Sequence, residues 1–134
     1  MVRVIIDTNF LLLPHQYHID IFSEIARIVD GKAELAIIDR TEDELAHLVQ
    51  VGTMKDRTAA KLGAVFVREF KRQGTLKVLH TVPFLTKSVD DAILRKAGRH
   101  DYVATQDKAL KETLKDAGVK VITLRGNHCV VEHK

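Results

Sequence analysis

The sequence predicts an α/β fold built on a largely parallel sheet, and two observations lead there. Short apolar, β-branched runs recur at Val2–Ile6, Leu35–Ile38, Leu76–Leu79, Tyr102–Ala104 and Val119–Leu124, the length and composition of buried strands. Helical patterns fill the intervals between them, and strands alternating with helices make parallel crossover units.

Val2–Ile6 ends abruptly at Asp7-Thr8-Asn9, residues that favour turns and caps, so a buried first strand should stop there. His15 and His18 flank a segment after Pro14 that is expected to be irregular, and both read as surface or groove-edge residues. Ile19, Phe22, Ile25, Ala26 and Val29 lie three or four apart and should form one face of a helix ending at Asp30-Gly31. Thr41-Glu42-Asp43-Glu44 reads as the start of a helix that buries Leu45, Leu48 and Val49 before Gly52. A longer helix runs from about Lys55 to Gln73. Ser88 starts another, carrying Ile93, Leu94 and Ala97, and Asp107 starts the last, carrying Leu110 and Leu114 up to Gly118. The final stretch from Asn127 either adds a short edge strand or frays.

With 134 residues, 46% hydrophobic and 29% charged, the chain is expected to fold as one soluble domain, 1–134, with neither a membrane span nor a disordered composition. Its opening residues carry no leader pattern, so a cytoplasmic location is expected. One cysteine, Cys129, allows no internal disulfide and no thiolate-rich zinc site. His128, Cys129 and His133 do not have chelating spacing on a strand. A net charge of +3 and a pI of 9.1 suggest weakly an anionic partner.

Four acids, Asp7, Glu44, Asp90 and Asp107, fall just after predicted strands or in first helical turns, where open α/β sheets gather ligands. If they meet at about 5 Å, each like-charged pair costs roughly 3 kcal/mol at an effective dielectric near 20. A hard divalent cation, Mg²⁺ or Mn²⁺, suits such an all-oxygen site. Taken singly, each acid also has a local use: Glu44 could close a capping box with Thr41, Asp90 and Asp91 could favour a helix start at Ser88, Asp107 could cap and Asp7 could turn the chain.

Taken together, Ile5-Ile6-Asp7-Thr8-Asn9, Asp43-Glu44-Leu45, Asp90-Asp91-Ala92-Ile93 and Val103-Ala104-Thr105-Gln106-Asp107 resemble, in order, the motifs of PIN-domain ribonucleases, notably small archaeal members similar to toxin nucleases and to pre-ribosomal RNA processing nucleases. The resemblance implies a three-layer α/β/α sandwich and an acidic groove in which Asp7, Glu44, Asp90 and Asp107 hold Mg²⁺ or Mn²⁺. It implies hydrolysis of single-stranded RNA, as a processing nuclease or as the toxin of a toxin–antitoxin pair. An antitoxin, a ribosomal precursor or a second copy in a homodimer are the partners it adds. Thr8, Asn9, Asp91 and Thr105 then support the carboxylates through hydrogen bonds. Gln106 departs from the pattern, where Asn is more usual.

Arg57, Lys61, Arg68 and Arg72 fall within a sector of about 60° on the long helix, and are expected to track RNA phosphates or to form a solvated face. Stacking aromatics are few: Tyr17, Phe84 and Tyr102, the last reading as core. Two rival readings remain at this level: a catalytically inactive PIN-like module that binds RNA or protein, and an unrelated α/β module whose acids are caps.

Overall fold

Val2–Ile6 forms β1, the hub of the sheet in the computed structural model, which describes residues 2–29, 32–82, 85 and 87–134. Six strands follow the order β3-β2-β1-β4-β5-β6: β2 is Ala33–Ile38, β3 Leu76–Leu79, β4 Tyr102–Ala104, β5 Lys120–Arg125 and β6 His128–Glu132. The first five are mutually parallel, with Val4 opposite Leu35 on one side and Tyr102 on the other. β6 closes the series antiparallel to β5, in the register Leu124 to Cys129, so the end of the chain adds the edge strand rather than fraying.

Side chains alternate across a strand, and β1 divides accordingly between two cores. Val4 and Ile6 join Ile37, Ala104 and Ile122 against α1 (Leu13–Tyr17), α2 (Ile21–Ile28), α3 (Asp39–Val51) and α4 (Met54–Gln73). Ile5 joins Ala36, Ile38, Val103 and Val121 against α5 (Val89–Lys96) and α6 (Lys108–Asp116). The result is a three-layer α/β/α sandwich, and burial on both faces explains why Val4, Ile5 and Ile6 are consecutive apolar residues, while Arg3 at the partly exposed start of the strand pairs with Asp101. No helix among the described residues is long and apolar enough to cross a membrane.

Several helix starts match their local signals. Asp20 accepts the amides of Phe22 and Ser23 at the start of α2, Thr53 that of Asp56 at α4, Ser88 that of Asp91 at α5, and Asp107 that of Leu110 at α6. α3 departs from expectation. It begins at Asp39 rather than Thr41, because the Asp39 carboxylate accepts the Thr81 amide and hydroxyl at 3.0 and 2.8 Å and ties the start of α3 to the chain after β3. Thr41 is consequently buried in the helix, the Thr41–Glu44 capping box does not form, and Glu44 lies in the second turn. The expected end of α2 at Asp30-Gly31 lies outside the described residues.

The segment after Pro14, expected to be irregular, is instead helical in α1, where Pro14 sits in the first turn, and α1 continues a 3-10 helix, Thr8–Leu12, that follows Asp7. Tertiary burial produces it: Phe10, Leu11 and Leu13 are all core residues. α4 reaches this segment at Gly63, where an added Cβ would lie 2.9 Å from the Leu11 carbonyl oxygen. Gly63→Ala should therefore lower the melting temperature. The helix-propensity gain of about 1 kcal/mol is outweighed by an overpacking cost of roughly 1–3 kcal/mol, and a thermal melt showing an equal or higher midpoint would contradict the close approach.

Candidate active site

Chain order reverses direction at β1, with β2 and β3 laid down on one side and β4 and β5 on the other. The C-terminal ends of β1 and β4 therefore flank a topological switch point, the crevice in which open α/β sheets bind ligands. Asp7 leaves β1 at that point. Its amide donates to Ala104 O at 2.9 Å, and its carboxylate accepts the Thr8 amide at 2.8 Å and the Thr105 hydroxyl at 2.6 Å. The same Thr105 oxygen accepts the Asp107 amide at 3.1 Å, while Asp107 caps α6 through Leu110 N at 2.8 Å. Asn9 Oδ1 accepts the Gln106 amide at 3.1 Å, a second clip between the two strand ends.

Gln106 has a role that its motif position does not reveal. Its side-chain oxygen accepts Leu124 N at 2.7 Å and the Thr123 hydroxyl at 2.9 Å, anchoring the loop after β4 to β5. The longer side chain spans to the neighbouring strand, and partners that far along the chain leave no local signal in the sequence.

Electrostatic coupling links the four acids. Asp7 is 3% exposed, and its pKa is raised to about 6, first by burial, with Asp90 and Glu44 adding to the rise and the bonds from Thr105 and Thr8 opposing it. Asp90 is also raised, by burial and then by Asp107 and Glu44. Its neighbour Asp91 moves the other way: its carboxylate accepts the Lys87 amide at 3.1 Å and pairs with Arg95, and the Lys87 bond is the main cause of its lowered pKa. Consecutive helical residues point about 100° apart, and here one acid serves the crevice while the other serves the helix start.

The carboxylates interact without forming a finished chelate. Among the described residues, no group of three or more His, Cys, Asp or Glu side chains is already arranged to hold a metal ion. The donor chemistry nevertheless fits a hard cation: oxygen ligands only, mutually repelling, with two of them held protonated more readily than usual. Beside Asp7, the buried Thr8 hydroxyl has no hydrogen-bond partner among the described residues.

A cleft of about 460 Å³ adjoins Glu44, walled by Arg40, Asp43 and His47 of α3 and by Lys87 to Val89 at the start of α5. Arg40, His47 and Lys87 belong to no sequence motif and carry no signal of their own, although the first two share a helix face with Glu44. The α4 residues Arg57, Lys61, Arg68 and Arg72 are exposed, but none lines this cleft. Arg57 donates to Val49 O and Arg72 pairs with Glu69. Tyr17 is exposed, Tyr102 lies in β4 under the Lys120 ammonium, and Phe84 is outside the described residues. His15 sits in α1, and His18 ends it with a left-handed backbone, φ 52°. Cys129 is buried in the core rather than presented to a metal.

The PIN like domain family matches residues 4–127. Ribonuclease VapC4 of Methanocaldococcus jannaschii is 29% identical over 129 residues, covering 93% of this chain and 92% of that protein. Among solved structures, that of the PIN domain endonuclease Utp24 is similar with a TM-score of 0.75 and 25% identity, over 98% of this chain and 92% of that one. The matched span takes in the parallel sheet from Val4 onward, the switch-point crevice and all four acids, and this chain accordingly belongs to the PIN-domain family.

Proposed function

We propose that the protein is a Mg²⁺- or Mn²⁺-dependent endoribonuclease that hydrolyses single-stranded RNA in the cytoplasm, with Asp7, Glu44, Asp90 and Asp107 as its acidic centre. The observation that carries this reading is the placement of a carboxylate cluster at the switch point, where Asp7 is so buried among other acids that its pKa rises to about 6. The ribonuclease relative supports RNA as substrate, and the endonuclease structure supports internal cleavage. Work as an RNA-processing enzyme or as a toxin restrained by an antitoxin is compatible with the same centre.

Asp7, Glu44, Asp90 and Asp107 would hold the cation, and Thr105, Asn9 and Thr8 would keep the first strand's acid in place. The cation, when bound, supplies positive charge against the phosphoryl oxygens and makes water acidic enough to serve as nucleophile near neutral pH. The protein's part is to hold four oxygen donors at one crevice. Asp107 keeps its cap bond to Leu110, which fixes the carboxylate's direction. No histidine base is needed, and products with a 5′-phosphate and a 3′-hydroxyl are expected.

Cleavage of single-stranded RNA should require Mg²⁺ or Mn²⁺ and cease in excess EDTA. Asp7→Asn should reduce the rate by more than the ~10–100-fold typical of losing a supporting partner of a metal ligand. Undiminished cleavage by that variant, or in chelator, would overturn the reading.

The adjacent acids should separate. Asp90→Asn abolishes turnover and leaves the melting temperature equal or higher, because it relieves repulsion. Asp91→Asn keeps most activity and lowers the melting temperature by weakening the helix start. Single-turnover rates and melts of both variants decide the assignment, which fails if Asp91→Asn is the inactive one.

A pH dependence follows from Asp7. Its folded pKa of about 6 lies above the ordinary 3.8, so its contribution to stability is complete below pH 4 and is lost as pH rises through 6. A shift of about two units corresponds to about 3 kcal/mol. In metal-free protein, denaturant unfolding should show stability falling across that window. Asp7→Asn should flatten the fall, and an unchanged pH slope would refute the assignment.

A further inference from the structure

The charged cleft beside Glu44 is built by one face of α3. Arg40, Asp43, Glu44 and His47 are spaced i, i+3, i+4 and i+7, which places them along one side of a helix. Such a stripe is usually apolar and faces a core. Here the core-facing side belongs to Thr41 and Leu45, 0% and 1% exposed, and the charged stripe faces the cleft instead. Glu44 thus has Arg40 about one turn before it and His47 about one turn after it, a span of roughly 10 Å at 1.5 Å per residue. The opposite wall carries Lys87, three residues ahead of Asp90 and just outside the first turn of α5. Glu44 therefore has a cation on its own helix, and Asp90 has one just ahead of the start of its helix.

An acidic centre repels a polyanion, and cations flanking it must hold the phosphates that it does not itself engage. The α4 stripe is less suited to this. None of its four residues lines the cleft. We propose that the α3–α5 cleft grips the backbone of single-stranded RNA next to the scissile bond, with Arg40, His47 and Lys87 as positioning residues for the flanking phosphates. The cleft deepens the nuclease reading above and rests on it for the location of the scissile bond.

The test uses a fluorescein-labelled single-stranded oligouridine and two separate readouts. In the Asp7→Asn background, an Arg40→Ala/Lys87→Ala double variant should bind it about tenfold more weakly, and the slope of log affinity against log salt should flatten by about 1.4, at roughly 0.7 for each phosphate that the protein no longer neutralises. The charge-conserving pair Arg40→Lys/Lys87→Arg should restore the slope. With Asp7 intact, the double alanine variant should raise KM about tenfold while kcat stays within about twofold. Lys32→Ala, which removes an exposed charge at the opposite end of the sheet, serves as the comparison, and the single variants replace the double one if its melt shows it unfolded. The proposal is overturned if affinity and salt slope match those of Lys32→Ala, or if kcat falls at constant KM. Absence of metal-dependent cleavage by the unmutated protein would refute the nuclease reading alone, since the binding readout judges the cleft without any turnover.

Discussion

The Thr105 hydroxyl donates to Asp7 at 2.6 Å and accepts the Asp107 amide at 3.1 Å, so one fully buried side chain fixes two acids that are far apart in the chain. A hydroxyl has a single proton to give, and giving it to Asp7 orients the group completely. The backbone bond from Asp7 to Ala104 and the bond between Asn9 and Gln106 hold the same two strand ends in register. Leaving the Asp7 oxygen buried without this donor would cost on the order of 1–3 kcal/mol. The positions of α5 and α6, and with them Asp90 and Asp107, follow from strands that this junction aligns.

The acids whose pKa clearly moves fall into two electrostatic classes. Glu24 is held down at about 2 by Arg27 and the Cys129 amide, Asp20 is lowered by Ser23, and Asp39 stays low despite burial because the Thr81 amide and hydroxyl bond to it. Those carboxylates have donors matched to them and serve the fold. Asp7 is raised because burial and other carboxylates outweigh the bonds it accepts, and Asp90 is raised by burial and by Asp107 and Glu44. A fold that keeps two carboxylates so raised forgoes stability near neutral pH, the cost expected of the cation-binding centre proposed above. The contrast between Asp90 and Asp91, neighbours in sequence with opposite shifts, shows the division at its finest scale.

Features that depend on short-range physics are legible in the residues alone. The bounds of β3 and β4, the Ser88 and Asp107 caps and the burial of Val4–Ile6 are set by local apolar runs and capping chemistry, and each stands where the pattern indicates. The start of α3 differs from its local signal because Asp39 is used by Thr81, forty-two positions later. The 3-10 turn after Asp7 has no signature of its own, since Phe10 and Leu11 fold into it only when α4 offers a glycine to approach. The acids are legible as a set only through the spacing of four motifs. Their mutual influence, and the Arg40–His47 face beside them, exist only once the helices are packed.

The outer rim of the sheet has a feature of its own at β6. Cys129 turns its amide and carbonyl away from β5, and both are taken by α2: the amide by Glu24 at 2.7 Å and the carbonyl by Arg27 at 3.0 Å. An unpaired edge strand invites another chain to extend the ladder, and here two side chains already occupy the bonds that an incoming strand would need first. Glu24 and Arg27 also bond to each other, so the lock cannot be opened at one point without exposing a charged partner. Self-templated growth of the sheet is therefore obstructed on this flank by a helix that, judged from its own sequence, merely packs on the core.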